Sequence, residues 1–261
     1  MSGRELYDTI GRGYDTHRRP DARLAAAIGA ALGGAASVVN VGAGAGSYEP
    51  RDRPVVAVEP SSAMLRQRPA GAAPAVQASA TDLPFRDGAF AAALALLTVH
   101  HWPDRARGLA ELVRVARERI VILTWDPQAR YAFWLVDEYF PEIPAIDRRI
   151  FPTLDEFRRA LGPIETRRLP IPHDCVDGFL GAYWQRPQAY LDAGVRGAIS
   201  TFTKLADVER GLARLRADLA DGTWERRHED LRGRDAVDLG YRLVVAERTA
   251  GGATARTRRP G

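Results

Sequence analysis

The stretch VVNVGAGAGSYEPRDRPVVAVEPS, residues 38–61, decides the fold. It contains an apolar run, glycines at alternate positions (Gly42, Gly44 and Gly46), a second apolar run starting at Val55, and an acid, Glu59. Short, continuous apolar runs are what strands covered on both faces require. A glycine turn between them lets backbone approach a ligand closely, because no Cβ intrudes. A dinucleotide site is written as strand, G-x-G-x-x-G, a full helix whose N-terminus faces the pyrophosphate, and an acid on a ribose. Here residues 47–54 are all that separate Gly46 from the second run, and Pro50 and Pro54 lie among them. Proline inside a helix removes a hydrogen bond and clashes with the preceding turn. The segment therefore holds about one helical turn, where an average helix has about three.

The phosphate-facing helix is thus missing or stunted, and Ser47 stands where the third dinucleotide glycine is expected. What remains is a close-approach turn and a carboxylate able to accept hydrogen bonds from ribose hydroxyls. S-adenosylmethionine (SAM), which has a ribose and no phosphate, fits this text better than a nicotinamide dinucleotide. A turn with no ligand is the plain alternative.

The chain has 261 residues, which suggests one α/β domain with insertions. No segment is apolar enough over the ~20 residues a membrane span needs, and MSGRELYDTI at the N-terminus has no apolar signal region. Cys175 is the single cysteine, so an internal disulfide and a cysteine-cluster zinc site are excluded. A cytoplasmic setting fits. The formal net charge is +4, and Arg256, Arg258 and Arg259 near the C-terminus account for three of those charges. Elsewhere basic residues alternate with acids, as in RRHEDLRGRD, which reads as a solvated face and makes a nucleic-acid partner unlikely on charge grounds.

Short apolar runs alternate with helical segments, the pattern of a mostly parallel, doubly wound sheet. Strands are expected at Val38–Val41, Val55–Val58, 75–77, 91–97, 119–124 and 164–171, with a seventh at YRLVVAE from Tyr241. Residues 104–118 read as a helix through Leu109, Leu112, Val113 and Ala116. Thr153-Leu154-Asp155-Glu156 reads as a capping box opening a helix that stops at Gly162. Further helices are expected at 187–191, around 199–205, and over 207–221. The organisation that follows is a lid segment over 1–36, a cofactor-binding core over 37–125, and a cap insertion over 126–152. A core helix and sixth strand occupy 153–172, a helical cap 173–239, the last strand 240–249, and a disordered tail 250–261.

These residues resemble the class I SAM-dependent methyltransferases, in particular the group that includes the ubiquinone and menaquinone C-methyltransferases. VVNVGAGAGSY is similar to that family's first motif and VVAVEPSSAML to its second. ATDLPFRDGAFAAALALLTVHHWPD is similar to its third and fourth. The resemblance implies a seven-stranded Rossmann-like methyltransferase fold, SAM as cofactor, and an enzyme. It implies that Gly42, Ala43, Gly44 and Gly46 run past the methionyl and ribose parts, that Glu59 binds the ribose hydroxyls, and that Pro60 and Met64 pack near the adenine. Leu97 and Thr98 would complete the pocket after the fourth strand. Where the family often has an acid for the adenine amino group, this chain has Ser79, followed by Ala80 and Thr81, so a weaker or backbone contact is expected. LYDTIGRGYDTHRRPD resembles the family's lid, with Tyr14 and Arg18 facing the methionyl end, since a guanidinium matches a carboxylate.

Methyl transfer from a sulfonium demands alignment above all, and a base only where the acceptor carries a proton. His101, His173 and Tyr183 are the candidates for direct roles. His100 and His101 follow strand four, where histidine could act as base or as packing. Trp125 and Asp126 leave strand five, and His173, Asp174, Asp177, Tyr183 and Trp184 follow strand six, where they could line an acceptor site. No metal site is evident: there is no H-E-x-x-H and no paired acids at ligand spacing. Aromatics concentrate in the two cap segments, among them Tyr131, Phe133, Trp134 and Tyr190, which suits either core or a pocket for a small, largely apolar or aromatic acceptor. An NAD(P)-dependent oxidoreductase, a non-catalytic SAM-fold binding protein and an RNA methyltransferase remain as alternatives. The acceptor and the oligomeric state are not written in these residues.

Overall fold

The computed structural model of the chain describes residues 18–129 and 132–248. Tyr14, Tyr131, residues 1–17 of the expected lid and the tail lie outside the described residues. Seven strands form one sheet in the order β3-β2-β1-β4-β5-β9-β6: β1 Val38–Val41, β2 Val55–Val58, β3 Ala75–Val76, β4 Phe90–Leu96, β5 Ala116–Trp125, β6 Glu165–Arg168 and β9 Tyr241–Glu247. The first five run parallel, and β9 lies antiparallel between β5 and β6. The order reverses beside β1, and a crevice outside the strands' carboxyl ends at such a point is where open α/β sheets bind ligands.

Alternation along the strands divides the core into two layers. Val38, Leu94, Val121, Leu123 and Leu243 face one side with Leu24, Ile28 and Leu32 of α1 (Ala22–Leu32). Val39, Val41, Ala93, Ala95, Ile120 and Ile122 face the other, against α3 (Arg105–Val115) and α5 (Leu154–Leu161). Between β2 and β3 is only the short α2, Ser62–Arg66. The Thr153–Glu156 capping box forms with both reciprocal bonds, and Gly162 ends α5 at φ +83°.

Some boundaries differ from the sequence pattern. The helix expected over 104–118 stops at Val115, because Ala116 pairs with Phe90 and starts β5. The strand expected over 164–171 breaks after Arg168: Pro170 has no N–H for a ladder, and Ile171–Pro172 (β7) pairs instead with Ala236–Val237 (β8). Residues 187–191 form a 3-10 turn. The region around 199–205 is turns with a 3-10 stretch at Phe202–Lys204, next to a short α6 at Ala193–Gly197. The helix expected over 207–221 is present as α7, Val208–Ala220, capped by Asp207.

Segments 126–152 and 173–239, which include α4 (Ile143–Ile150), α7 and α8 (Thr223–Arg227), were expected to close over the cofactor. Their apolar side chains join the same core cluster as α1. Trp134 is the centre of that packing, with Tyr139, Tyr190 and Trp224 edge-on to it at 5.8, 5.7 and 5.2 Å. Each such pair adds ~0.5–1.5 kcal/mol beyond burial. Most of the aromatic surplus in these segments is therefore core.

Candidate active site

A cavity of about 600 Å³ opens at the carboxyl ends of β1, β2 and β4. Its first wall is the glycine turn. Gly42 sits at φ +73°, and a Cβ there would lie 2.1 Å from Thr98 Oγ1, so neither the conformation nor the space admits a side chain. The Gly42 and Ala43 amides both donate to the Val58 carbonyl, at 2.8 and 3.0 Å, tying the turn to the end of β2. There Glu59, 6% exposed, accepts from the Gly44 amide at one carboxylate oxygen and the Ser61 amide at the other, each at 2.9 Å. Two amides thus fix the plane of the carboxylate.

Residues 47–54 form turns and no helix, and a buried ion pair holds them. Arg68 Nη2 donates to both oxygens of Glu49 at 2.9 and 2.8 Å and to the Ala73 carbonyl, while the Ala73 amide donates back to Glu49. Asn40 Nδ2 reaches the same carboxylate at 3.4 Å, and its buried Oδ1, with no partner among the described residues, belongs to a residue that lines the cavity. A buried carbonyl oxygen in that state fits a ligand donor.

Arg18, Gly42, Ala43, Gly44, Glu59, Pro60, Met64, Ser79, Ala80, Leu97, Thr98 and His101 all line the cavity. Gly46 and Thr81 stand behind it. A Cβ on Gly46 would press on Arg68 and Glu49, and Thr81 shares a 2.8 Å hydrogen bond with Ser79. The sequence pattern missed Asn40, Ser47, Tyr48, Gln77 and Leu123, which also line it. For Asn40 a signal existed: a polar residue in the middle of an otherwise aliphatic strand.

Arg18 was expected to meet the methionyl carboxylate. Its guanidinium instead holds Asp177, Nε to Oδ1 at 2.6 Å and Nη2 to Oδ2 at 3.4 Å. Asp177 also accepts from the Tyr48 hydroxyl at 2.8 Å, and that hydroxyl accepts from the Asp21 amide. Tyr48 is one of two non-glycine residues described at positive φ (+61°); the other, Leu97 at +49°, lies across the cavity. Backbone strain of this kind collects at ligand sites. The Asp177 knot fastens the second inserted segment to the glycine loop.

His101 lies in the cavity wall, its amide bonded to the Thr98 carbonyl at 2.8 Å. Burial, with the nearby positive charge of Lys204, pushes its imidazole down to about 3, and burial holds His100 well below the usual range. His101 is therefore neutral at pH 7 and too weak a base to take an acceptor's proton. His173 and Tyr183 are not in the cavity. Pairing of β7 with β8 puts His173 on the surface, 44% exposed beside the Asp235 carbonyl, and Tyr183 packs between Tyr190 and the Arg186 guanidinium. Asp174 is drawn to Arg23, and Trp184 is buried with its indole N–H on the Ile171 carbonyl. Among the described residues no cluster of three metal-ligating side chains occurs, and no helix is long and apolar enough to cross a membrane.

A methyltransferase-domain family model matches residues 39–122, the span that carries the cavity's walls. A solved protein of Anabaena variabilis, described as a methyltransferase from an antibiotic biosynthesis pathway, is 32% identical. The match covers 88% of this chain and 98% of that one, with a TM-score of 0.81. Fold likeness extends to a Haemonchus contortus phosphoethanolamine N-methyltransferase (14% identity, 95% of this chain and 60% of that one, TM-score 0.58). It extends also to the [4+2]-cyclase SpnF (14%, 96% and 98%, 0.53). This chain belongs to the class I SAM-dependent methyltransferases. It is an enzyme whose cofactor is SAM.

Proposed function

We propose that the chain transfers the methyl group of SAM to a small, largely apolar or aromatic molecule, with the 600 Å³ cavity as the cofactor site. The observation that carries this reading is Glu59, set by two backbone amides at the edge of a glycine turn that a Cβ would fill. Carboxylate oxygens accept more than one hydrogen bond, so a ribose diol can add to the bonds already made. Pro60, Met64, Ser79 and Ala80 offer a flat, mostly apolar slot for an adenine, and Asn40 Oδ1 an acceptor for a ligand N–H. When bound, SAM supplies an electrophilic methyl group on a sulfonium.

The chain's own contribution is alignment and exclusion of water. Leu96, Leu97, Trp102, Pro103 and Leu123 supply apolar wall on the side where an acceptor would enter, and neutral His101 adds a ring to it. This lining supports a small apolar acceptor, since such pockets are mostly apolar with a few placed polar groups. An antibiotic precursor is one class such a wall would suit, in keeping with the Anabaena protein's description.

Calorimetric titration with S-adenosylhomocysteine, SAM and NAD tests the cofactor site. The two sulfur nucleosides should bind and NAD should not, and Glu59→Ala should weaken them by ~1–3 kcal/mol, the usual loss for a charged hydrogen-bond partner. Binding of NAD alone, or an unaffected Glu59 variant, overturns the reading.

A further inference from the structure

One buried charge has no part in the cofactor site. α4 turns Ile143 and Asp147, four residues apart, to the interior, where a second aliphatic side chain would pack at no electrostatic cost. Asp147 is 5% exposed, and its buried Oδ1 has no hydrogen-bond partner among the described residues. Asp147 is one of the residues that line a second cavity, of about 40 Å³, among them Trp125, Phe133, Phe151, Thr201 and Tyr241.

This cavity adjoins the first. Leu123 lines the large cavity and Trp125, two residues further along β5 and so on the same face, lines the small one. On the other side His101 lines the large cavity. Its neighbour His100, 3.9 Å away ring to ring, stacks at 4.0 Å on Phe151, which lines the small one.

Resting on the proposed methyltransferase reading, we propose that the small cavity is the inner end of the acceptor site, where Asp147 selects acceptors that carry a hydroxyl group by accepting its hydrogen bond. The cavity has room for one polar group and not for a ring. The apolar wall of the large cavity would hold the body of an acceptor while the Asp147 carboxylate takes the hydrogen bond of its hydroxyl. Charge decides between a neutral donor and a cation. Lys204 faces Asp147 from the turn at Phe202–Lys204, and the same ammonium faces His100 and His101, with Arg105 also near His100. A cationic acceptor would put a second buried positive charge beside one carboxylate, whereas a hydroxyl leaves the Asp147–Lys204 balance intact. Burial pushes the Asp147 carboxyl up to about 7 and lowers Lys204. Tyr241 is the remaining titratable group on the cavity wall.

The test uses full-length protein saturated with S-adenosylhomocysteine at pH 8, where Asp147 is ionised, titrated with phenol, toluene and benzylammonium and followed by ligand-observed NMR. Phenol should bind at least 10-fold more tightly than toluene, and Asp147→Leu should abolish that preference. Asp147→Asn, which keeps the shape, should reduce it and serves if the leucine variant does not fold. Equal binding of phenol and toluene, tightest binding by benzylammonium, a preference untouched by both substitutions, or no probe binding at all overturns the proposal while the bound S-adenosylhomocysteine leaves the methyltransferase reading standing. Failure of S-adenosylhomocysteine to bind wild-type protein overturns both.

Discussion

Glu59 and Asp147 are carboxylates of nearly equal burial, 6% and 5% exposed, in opposite states. Glu59 receives an amide on each oxygen, at a strand end where the parallel sheet places backbone donors. Asp147 sits mid-helix, where the backbone amides are already spent on the helix, and its Oδ1 receives no hydrogen bond from the described residues. The difference shows two ways of preparing a site. The first is assembled before any ligand arrives, so binding costs little reorganisation. The second stores a desolvation cost that a correct ligand relieves, which is a source of discrimination, because an analogue lacking the donor leaves the carboxylate unpaired.

The contrast breaks most visibly at Gly42. An alanine there must adopt φ near +73° and place its Cβ against Thr98, and the conformational cost alone is ~1–2 kcal/mol for an L-residue. Because the clash displaces the turn that orients Glu59, Gly42→Ala should weaken S-adenosylhomocysteine binding by ~100-fold or more, ~2.7 kcal/mol, as read by calorimetry. If affinity survives, the first site is not rigidly built.

Asp147→Asn tests the second state. A carboxyl raised to about 7 in the fold from its ordinary 3.8 favours the protonated protein. Its contribution to stability is fullest below about pH 4, declines as pH rises towards 7, and is lost above. The asparagine variant escapes that loss. It should match wild type at pH 4 and exceed it at pH 8 by up to ~4 kcal/mol, three pKa units at ~1.4 kcal/mol each. Thermal unfolding at the two pH values measures this, and a variant less stable than wild type at pH 8 removes the stored cost.

These two sites were not equally legible in the sequence. The glycine turn and Glu59 follow from local text, because a strand end, its turn and the next strand form one short unit, and the lining at Pro60, Met64, Ser79 and Thr98 was implied by the family resemblance. The seven strands were readable for the same reason. Asp147 was missed although a signal existed: an acid four residues from Ile143 in an apolar helical stripe. What makes it notable, the aromatic cavity, is assembled from β5, α4, the 180s and the 3-10 turn before Lys204, segments with no local relation. The partners of Arg18, His173 and Tyr183 were illegible for the same reason, since Asp177, β8 and Arg186 meet them only in three dimensions.

The histidines sharpen the contrast further. His101, held near 3 by burial, carries no proton change between pH 5 and 8. Any rise of kcat/KM through about pH 7, which reports groups of the free enzyme, should therefore persist in His101→Phe and vanish in Asp147→Asn. His101→Phe should lower the rate by less than ~10-fold, since removing a ring of the wall costs alignment and not a proton-transfer step, itself worth ~10²–10⁴-fold. A pH profile that flattens in the phenylalanine variant would return the titration to His101.

The smallest effect is expected where the sequence pattern had placed a catalytic candidate. His173 is 44% exposed, its Nδ1 lies 3.3 Å from the Asp235 carbonyl, and Asp174 beside it is engaged by Arg23. Truncating an exposed side chain of this kind changes stability by under ~0.5 kcal/mol. His173→Ala should leave S-adenosylhomocysteine affinity and turnover within twofold of wild type. The β7–β8 pairing that carries His173 to the surface depends on backbone hydrogen bonds, the His173 amide to the Asp235 carbonyl at 2.9 Å among them, and these the substitution leaves in place. A large loss of turnover with cofactor binding preserved would mean that the second inserted segment swings His173 towards the acceptor during the reaction, and the acceptor site would then have to be sought on that segment and not at Asp147.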